Sequence, residues 1–85
     1  MSAKQISAFL RDTPVFGKVP AGEVEALAGL ATQHAHWTRE YIFMEGDASR
    51  WLYVVKSGHV KIVRHSRTGK DVVLELLGPG EIFGD

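Results

Sequence analysis

The sequence predicts a mainly β fold with N-terminal helices. Apolar side chains in the first part of the chain recur at helical spacing, whereas those from His34 onward are β-branched or aromatic and are interrupted by glycine. The later apolar runs are separated by short turns at intervals of about 8–12 residues, which is typical of a sandwich or barrel. We therefore expect a helical lead over residues 1–33 and a β region over residues 34–85.

The composition excludes several classes of protein. The 85 residues carry 10 basic and 10 acidic side chains, and this balance provides no overall field for gathering nucleic acid or anionic lipid. The absence of cysteine excludes disulfides, thiolate zinc sites and cysteine-ligated clusters. No apolar run approaches the ~18–20 residues of a membrane helix, and the N-terminus lacks a secretory pattern. We expect a cytoplasmic protein with no membrane partner.

Two helices are expected in the lead. The first ends before Pro14, because the residue that precedes a proline is disfavoured in the α region. The second begins near Pro20, since proline is tolerated in a first helical turn. Gly29 lies inside the second helix, where it predicts the close approach of another backbone. The apolar stripes of the two helices comprise Ile6, Phe9, Leu10, Val24, Leu27, Ala28 and Ala31.

Two short turns predict hairpins in the β region. Ser57-Gly58 separates the candidate strands 51–55 and 59–65, and the turn at residues 66–69 separates the second of these from 71–77. Short strands joined by such turns favour a tightly wound sheet. The full set of candidate strands is the segment at Trp37 followed by residues 41–44, 51–55, 59–65, 71–77 and 81–83.

The last strands lead to three further expectations. Gly78-Pro79-Gly80 ends the strand at residues 71–77, since proline cannot donate to a ladder and glycine weakens one. An end directly after Phe83 leaves an unpaired sheet edge, which is an aggregation hazard, so we expect the natural protein to continue past Asp85. Within residues 71–77, we expect one shared face for Val72, Leu74 and Leu76.

Several motifs in order carry a family resemblance. They are EGD at 45–47 before LYVV at 52–55, SGHVKI at 57–62, TGK at 68–70 and LLGPGEIFGD at 76–85. With these motifs, the chain from about Phe9 to Asp85 resembles the effector domain of the Crp/Fnr family of bacterial transcription regulators. That family belongs to the cyclic-nucleotide-binding superfamily. The resemblance implies a double-stranded β-helix, or jelly roll, that is incomplete at the C-terminus of this chain. Residues 34–85 would form part of the roll.

The same resemblance implies candidate ligand-binding residues at the end of the chain. It places Gly84 where a backbone amide meets the ribose or phosphate of a nucleotide. At the position of Asp85 the family typically has a glutamate that accepts a hydrogen bond from the ribose 2′-hydroxyl, and aspartate is one methylene shorter. Phe83 is either a core residue or a platform for base stacking. The arginine that pairs with the phosphate in the family lies beyond residue 85, and Glu81 is expected at the surface.

The function implied by the resemblance is sensing rather than catalysis. The ligand would be cyclic AMP or a related cyclic nucleotide, and its binding would control DNA binding by a helix-turn-helix domain outside this chain. A homodimer and a contact with RNA polymerase would accompany that role. No nucleophile elbow or Walker-type loop is present, so we do not expect an enzyme. A haem or gas sensor, and a ligand-free interaction module, are the alternatives.

Two further groups of residues have both a functional and a structural interpretation. The four histidines could ligate a metal or haem, or they could be polar residues of strand faces. Lys61, Arg64, Arg67 and Lys70 could contact DNA or a polymerase from one hairpin, or they could be solvated surface charges. We expect the structural interpretation for both groups and predict no metal site. The histidines are His34, His36, His59 and His65.

Overall fold

The computed structural model describes residues 1–44, 46–48 and 51–84. They form two compact units, one within residues 1–51 and one over Leu52–Gly84. Helices precede antiparallel strands, so the predicted fold class, mainly β with N-terminal helices, is confirmed. The division into a helical lead of residues 1–33 and a β-roll from residue 34 stays a prediction. No helix in the described ranges is long and apolar enough to span a bilayer.

Helix α1 spans Ala3–Arg11 and begins with a capping box. The Ser2 hydroxyl accepts a hydrogen bond from the Gln5 N–H at 3.2 Å, and the Gln5 side-chain oxygen accepts one from the Ser2 N–H at 2.8 Å. This exchange satisfies two of the backbone donors that a helix N-terminus leaves unpaired. The helix ends shortly before Pro14, as its sequence predicts.

A buried threonine turns the chain after α1. The Thr13 hydroxyl donates to the Leu10 carbonyl at 2.5 Å and accepts from the Phe16 N–H at 3.3 Å. Thr13 is only 5% exposed, so these two bonds satisfy its hydroxyl away from solvent. A short 3₁₀ helix, Phe16–Lys18, follows directly.

Helix α2 spans Ala21–Leu30 and begins directly after Pro20, as predicted. It packs against α1. The close backbone approach predicted at Gly29 is wrong, since a Cβ there would meet no described atom within 4 Å. The buried apolar side chains of the helical unit are Leu10, Phe16, Val24 and Ala28.

The strands predicted at Trp37 and at residues 41–44 are wrong, because the structure contains no strand within residues 31–44. A turn interrupts this segment, with the Glu40 N–H donating to the Trp37 carbonyl at 3.0 Å. The Glu40 carboxylate also accepts from the Trp37 N–H at 3.2 Å. A strand needs a ladder partner, and the described part of the chain pairs none with this segment.

Among the described residues, short strands form two antiparallel pairs. Strand β1 (Leu52–Val54) pairs with β4 (Ile82–Gly84), and β2 (Val60–His65) pairs with β3 (Asp71–Leu77). The turn at residues 66–69 joins β2 to β3, which confirms that predicted hairpin. In chain order, the β2–β3 hairpin therefore lies between β1 and β4, the two strands of the other pair.

The hairpin predicted at Ser57-Gly58 is wrong, because β1 pairs with β4 instead of β2. Val55, the residue after β1, donates its N–H to the Glu81 carbonyl at 2.9 Å and accepts from the Gly80 N–H at 2.7 Å. These bonds extend the β1–β4 pairing by one residue. The chain then bends at Gly58, whose φ is +78°, and continues into β2.

A β-bulge interrupts the alternation of side chains predicted for β3. Between the pairs Ile62–Glu75 and Val63–Val73, β2 advances by one residue and β3 by two. Leu74 is therefore the extra residue, and the strand changes face at this point. The bulge breaks the face that was predicted to be shared by Val72, Leu74 and Leu76.

Candidate ligand-binding corner after β3

The candidate site begins with a tight turn between β3 and β4. The Glu81 N–H donates to the Gly78 carbonyl at 3.2 Å, and Gly80 has a φ of +85°. Proline at the second position and a positive φ at the third define a type II turn, whose third residue is usually glycine. The turn brings the chain back into β4 beside β1.

The side chain of Glu81 closes this turn. Its Oε1 accepts a hydrogen bond from the Gly78 N–H at 3.0 Å, so two bonds of opposite direction join the first and last residues of the turn. The His59 imidazole lies on the same turn, with its Cδ2 at 3.6 Å from the position of a Cβ on Gly78. Glu81 is exposed, as predicted, but its bond to the backbone of the turn was not predicted. An acidic residue directly after Pro-Gly was the available signal.

Val55 fixes the turn to the end of β1. It lies opposite both Gly80 and Glu81, accepting from the first and donating to the second. This arrangement is a G1 bulge, in which two residues of one strand lie opposite a single residue of the other and the first of the two is a glycine with positive φ. The bulge sets the register in which β4 enters the pair.

Phe83 is packed inside the protein. It is 9% exposed, and its ring stacks on that of Tyr53 with centroids 4.8 Å apart and an interplanar angle of 10°. The two residues lie directly opposite each other in the β1–β4 register. The packing is that of a core side chain, and a contact between Phe83 and a ligand stays a prediction.

Gly84 lies at the exposed end of β4, opposite Leu52. Bonded and non-bonded pairs alternate along an antiparallel ladder. Because the Val55 N–H is bonded to Glu81, the bonded pair two residues further along is Tyr53 with Phe83. The Gly84 N–H therefore points away from β1, toward the outer side of the strand.

The sequence also predicts that the corner at residues 80–85 presents its N–H groups inward to a small anionic ligand, and this is wrong for Gly80 and Glu81. The Gly80 and Glu81 N–H groups are used within the turn and the sheet. The N–H of Ile82 also points away from β1, because Ile82 lies two residues before Gly84 and the N–H direction alternates along a strand. Within residues 80–84, the main-chain N–H groups directed away from β1 are thus those of Ile82 and Gly84. Asp85, the predicted partner of a ribose hydroxyl, lies outside the described residues.

Three of the four histidines have polar neighbours close to them in sequence or across a hairpin. His36 Nδ1 lies 2.6 Å from Glu40 Oε2, and His65 Nδ1 lies 2.6 Å from Asp71 Oδ1 at the end of the β2–β3 hairpin. His34 Nε2 lies 3.1 Å from the Thr32 hydroxyl. No group of three or more potential metal ligands occurs within residues 1–44, 46–48 and 51–84.

The carboxyl group of Glu40 has a lowered pKa. The hydrogen bond from His36 lowers the pKa of Glu40 below its ordinary value, and the hydrogen bond from the Trp37 N–H lowers it further. Both bonds favour the ionised carboxylate, which acts only as an acceptor. This group belongs to the turn at residues 37–40 and not to the candidate corner.

The basic residues of the β2–β3 hairpin do not share one face. All four are exposed. Lys61 and Arg64 are three residues apart on β2, and side chains at that spacing project to opposite sides of a strand. Solvated surface charge stays the prediction for this hairpin, with a contact to DNA or a polymerase as the alternative. Of its other two basic residues, Arg67 lies within the turn at residues 66–69 and Lys70 follows it directly.

Comparison with known proteins identifies the class. The family model of the cyclic nucleotide-binding domain matches residues 37–85, which include the whole candidate corner. The chain belongs to the cyclic nucleotide-binding domain family. No solved structure matches the chain significantly.

Within that family the chain is similar to CRP-like transcription regulators. It is 33% identical to the cyclic AMP receptor protein of Thermus thermophilus over 89% of this chain and 35% of the relative. It is 39% identical to the CRP-like cAMP-activated global transcriptional regulator of Mycobacterium tuberculosis over 52% of this chain and 20% of that protein. A cAMP/cGMP-dependent phosphodiesterase of Dictyostelium discoideum is 33% identical over 74% of this chain and 6% of its own length. The chain thus spans about a third or less of these relatives.

Proposed function

We propose that this chain is the effector-sensing part of a CRP-like transcription regulator, and that it binds cyclic AMP or a related cyclic nucleotide. The observation that carries the proposal is the family match, which runs through Gly84 and Asp85. The names of the relatives from Thermus thermophilus and Mycobacterium tuberculosis both refer to cyclic AMP. They support a cyclic nucleotide as the class of ligand.

The chemistry of the corner suits such a ligand. A cyclic nucleotide presents an anionic phosphate and a ribose hydroxyl next to each other. The outward N–H of Gly84 can donate to an anionic or ribose oxygen, and the exposed glycine offers no side chain to obstruct the approach. The Asp85 carboxylate would accept from the ribose 2′-hydroxyl, a charge-assisted bond. A cation from outside this sequence, by resemblance an arginine, would pair with the phosphate.

Control of transcription would follow from a shift between two conformations. Ligand binding changes an equilibrium only by the difference between its affinities for the two states. In the proposed regulator, the nucleotide-bound roll favours the DNA-binding arrangement of a homodimer whose helix-turn-helix domains lie outside this sequence. We place this regulator in the cytoplasm, in contact with DNA and RNA polymerase.

The proposal is tested by calorimetric titration of the complete protein with cyclic AMP and, separately, cyclic GMP. Saturable binding of one nucleotide per subunit is expected, with loss of affinity in Asp85→Ala and unchanged affinity in the matched control Asp12→Ala on the helical unit. Absence of saturable binding to both nucleotides contradicts the proposal. A Soret band after haem reconstitution of the same sample would then favour a gas sensor, and its absence an interaction module.

A further inference from the structure

We propose that Glu81 is a positioning residue for the ligand-binding corner, acting through the backbone of the turn that precedes β4. This inference rests on the proposed function for its ligand, but its structural basis is independent. Glu81 lies three residues before Gly84, and its carboxylate is directed back to the start of the turn, where Oε1 accepts from the Gly78 N–H at 3.0 Å.

The bond of this side chain completes a closed ring of contacts. The Glu81 N–H donates to the Gly78 carbonyl, and the Glu81 carboxylate accepts from the Gly78 N–H. Both polar groups of Gly78 are therefore bonded to one residue. A type II turn depends on one main-chain bond, and a second, charge-assisted bond across the same four residues stabilises it further.

The turn determines where the corner lies because β4 is so short. Strand β4 has three residues, Ile82–Gly84, and it meets β1 through the G1 bulge in which Val55 is bonded to both Gly80 and Glu81. Glu81 thus belongs to the turn through its side chain and to the sheet through its carbonyl. A change in the backbone at Glu81 alters the entry angle of β4 and moves the outward N–H of Gly84.

The alternative is that Glu81 acts through its negative charge. A free carboxylate near an anionic ligand weakens binding by repulsion, and its removal would then raise affinity. A carboxylate that serves as a hydrogen-bond acceptor has the opposite effect, because its removal loosens the corner. Glutamine separates these two possibilities, since its side-chain carbonyl can accept the Gly78 N–H without carrying charge.

The experiment measures affinity for cyclic AMP in the complete protein and its Glu81→Ala, Glu81→Gln and Glu25→Ala variants. The last variant removes an exposed carboxylate from α2. We expect affinity to fall about fivefold in Glu81→Ala, as for the loss of one hydrogen bond, and to stay within about twofold of the parent in Glu81→Gln and Glu25→Ala. Parental affinity in Glu81→Ala, equal losses in Glu81→Ala and Glu81→Gln, or tighter binding in both, would each overturn the proposal.

A ligand-free readout separates this proposal from the proposed function. Amide NMR spectra of the same proteins should show faster hydrogen exchange at Gly78 and a displaced Gly84 resonance in Glu81→Ala, with the parental pattern in Glu81→Gln. If the parent binds no cyclic nucleotide, the proposed function fails while these spectra still decide the role of Glu81. Parental exchange and an unmoved Gly84 resonance in Glu81→Ala overturn the positioning role whether or not the nucleotide binds.

Discussion

The rings of Tyr53 and Phe83 stack nearly parallel across β1 and β4, with centroids 4.8 Å apart. This contact lies one residue before Gly84, so it packs the end of β4 that is farther from the turn against β1. Phe83 is almost fully buried, and the β1–β4 pair spans only three residues on each strand. The stack is therefore a main source of side-chain stabilisation for this short pair.

Removal of this ring should destabilise the fold. We expect Phe83→Ala to lower the free energy of unfolding of the complete protein by about 3–5 kcal/mol, the usual cost of truncating a buried phenylalanine. The matched control Phe83→Leu keeps most of the buried volume and should cost about 1–1.5 kcal/mol. Urea unfolding measures both variants. Equal losses of unfolding free energy in the two variants would contradict the expectation that the buried volume of residue 83 stabilises the fold.

Glycine substitutions should have opposite effects at two positions. Gly80→Ala forces a side chain into a φ of +85° and should cost about 1–3 kcal/mol of stability. Gly29→Ala lies in α2 with open space around the new methyl group and should add about 1 kcal/mol. Thermal unfolding of the two variants and the parent measures these changes. Stabilisation by Gly80→Ala would contradict the type II turn.

The sequence predicted local elements better than strand partners. Pro14 and Pro20 correctly bounded the helices, because proline acts on its immediate neighbours. The partner of β1 was missed because Ser57-Gly58 has the composition of a hairpin turn, while the bonds of Val55 to the turn before β4 join residues distant in sequence. The strand expected at Trp37 failed for the same reason: its β propensity has no ladder partner among the described residues.

The stability of the turn at residues 37–40 should depend on pH. His36 and the Trp37 N–H lower the pKa of Glu40, so their contribution to stability is complete above the ordinary carboxyl pKa and is lost as the pH falls through the lowered pKa. In His36→Ala we expect the pKa of Glu40 to rise toward its ordinary value. Carboxyl NMR titration measures it, with His34→Ala as the control. An unchanged Glu40 titration in His36→Ala would exclude the contact in solution.

The isolated 85-residue chain should associate in a concentration-dependent manner. Strand β3 exposes more than half of each of four apolar side chains, and the described residues pair it only with β2. Exposed apolar strands are sites of association. The double variant Leu74→Lys and Leu76→Lys should reduce this association, whereas the control variant Lys61→Arg should leave it unchanged. Analytical ultracentrifugation measures both. A monodisperse monomer with a sharp thermal transition would contradict this prediction. The four side chains are Val72, Val73, Leu74 and Leu76.

The candidate site was only partly accessible from the sequence. The motif at residues 76–85 directed attention to Gly84, and the ladder geometry gives its N–H an outward orientation that no composition rule supplies. Glu81 was expected only as a surface residue, since a side-chain bond to the backbone of a turn depends on the rotamer and on the turn type. The use of the Gly80 N–H by Val55 likewise required the strand pairing to be known.

The most direct test of the central claim is an amide NMR titration of the complete protein with cyclic AMP. If the corner at the end of β4 receives the ligand, the Gly84 resonance should shift saturably, with the same dissociation constant as calorimetry gives, while Gly29 on α2 stays unmoved. Saturable binding that leaves the Gly84 resonance in place, or no binding of cyclic AMP or cyclic GMP at all, would contradict the account.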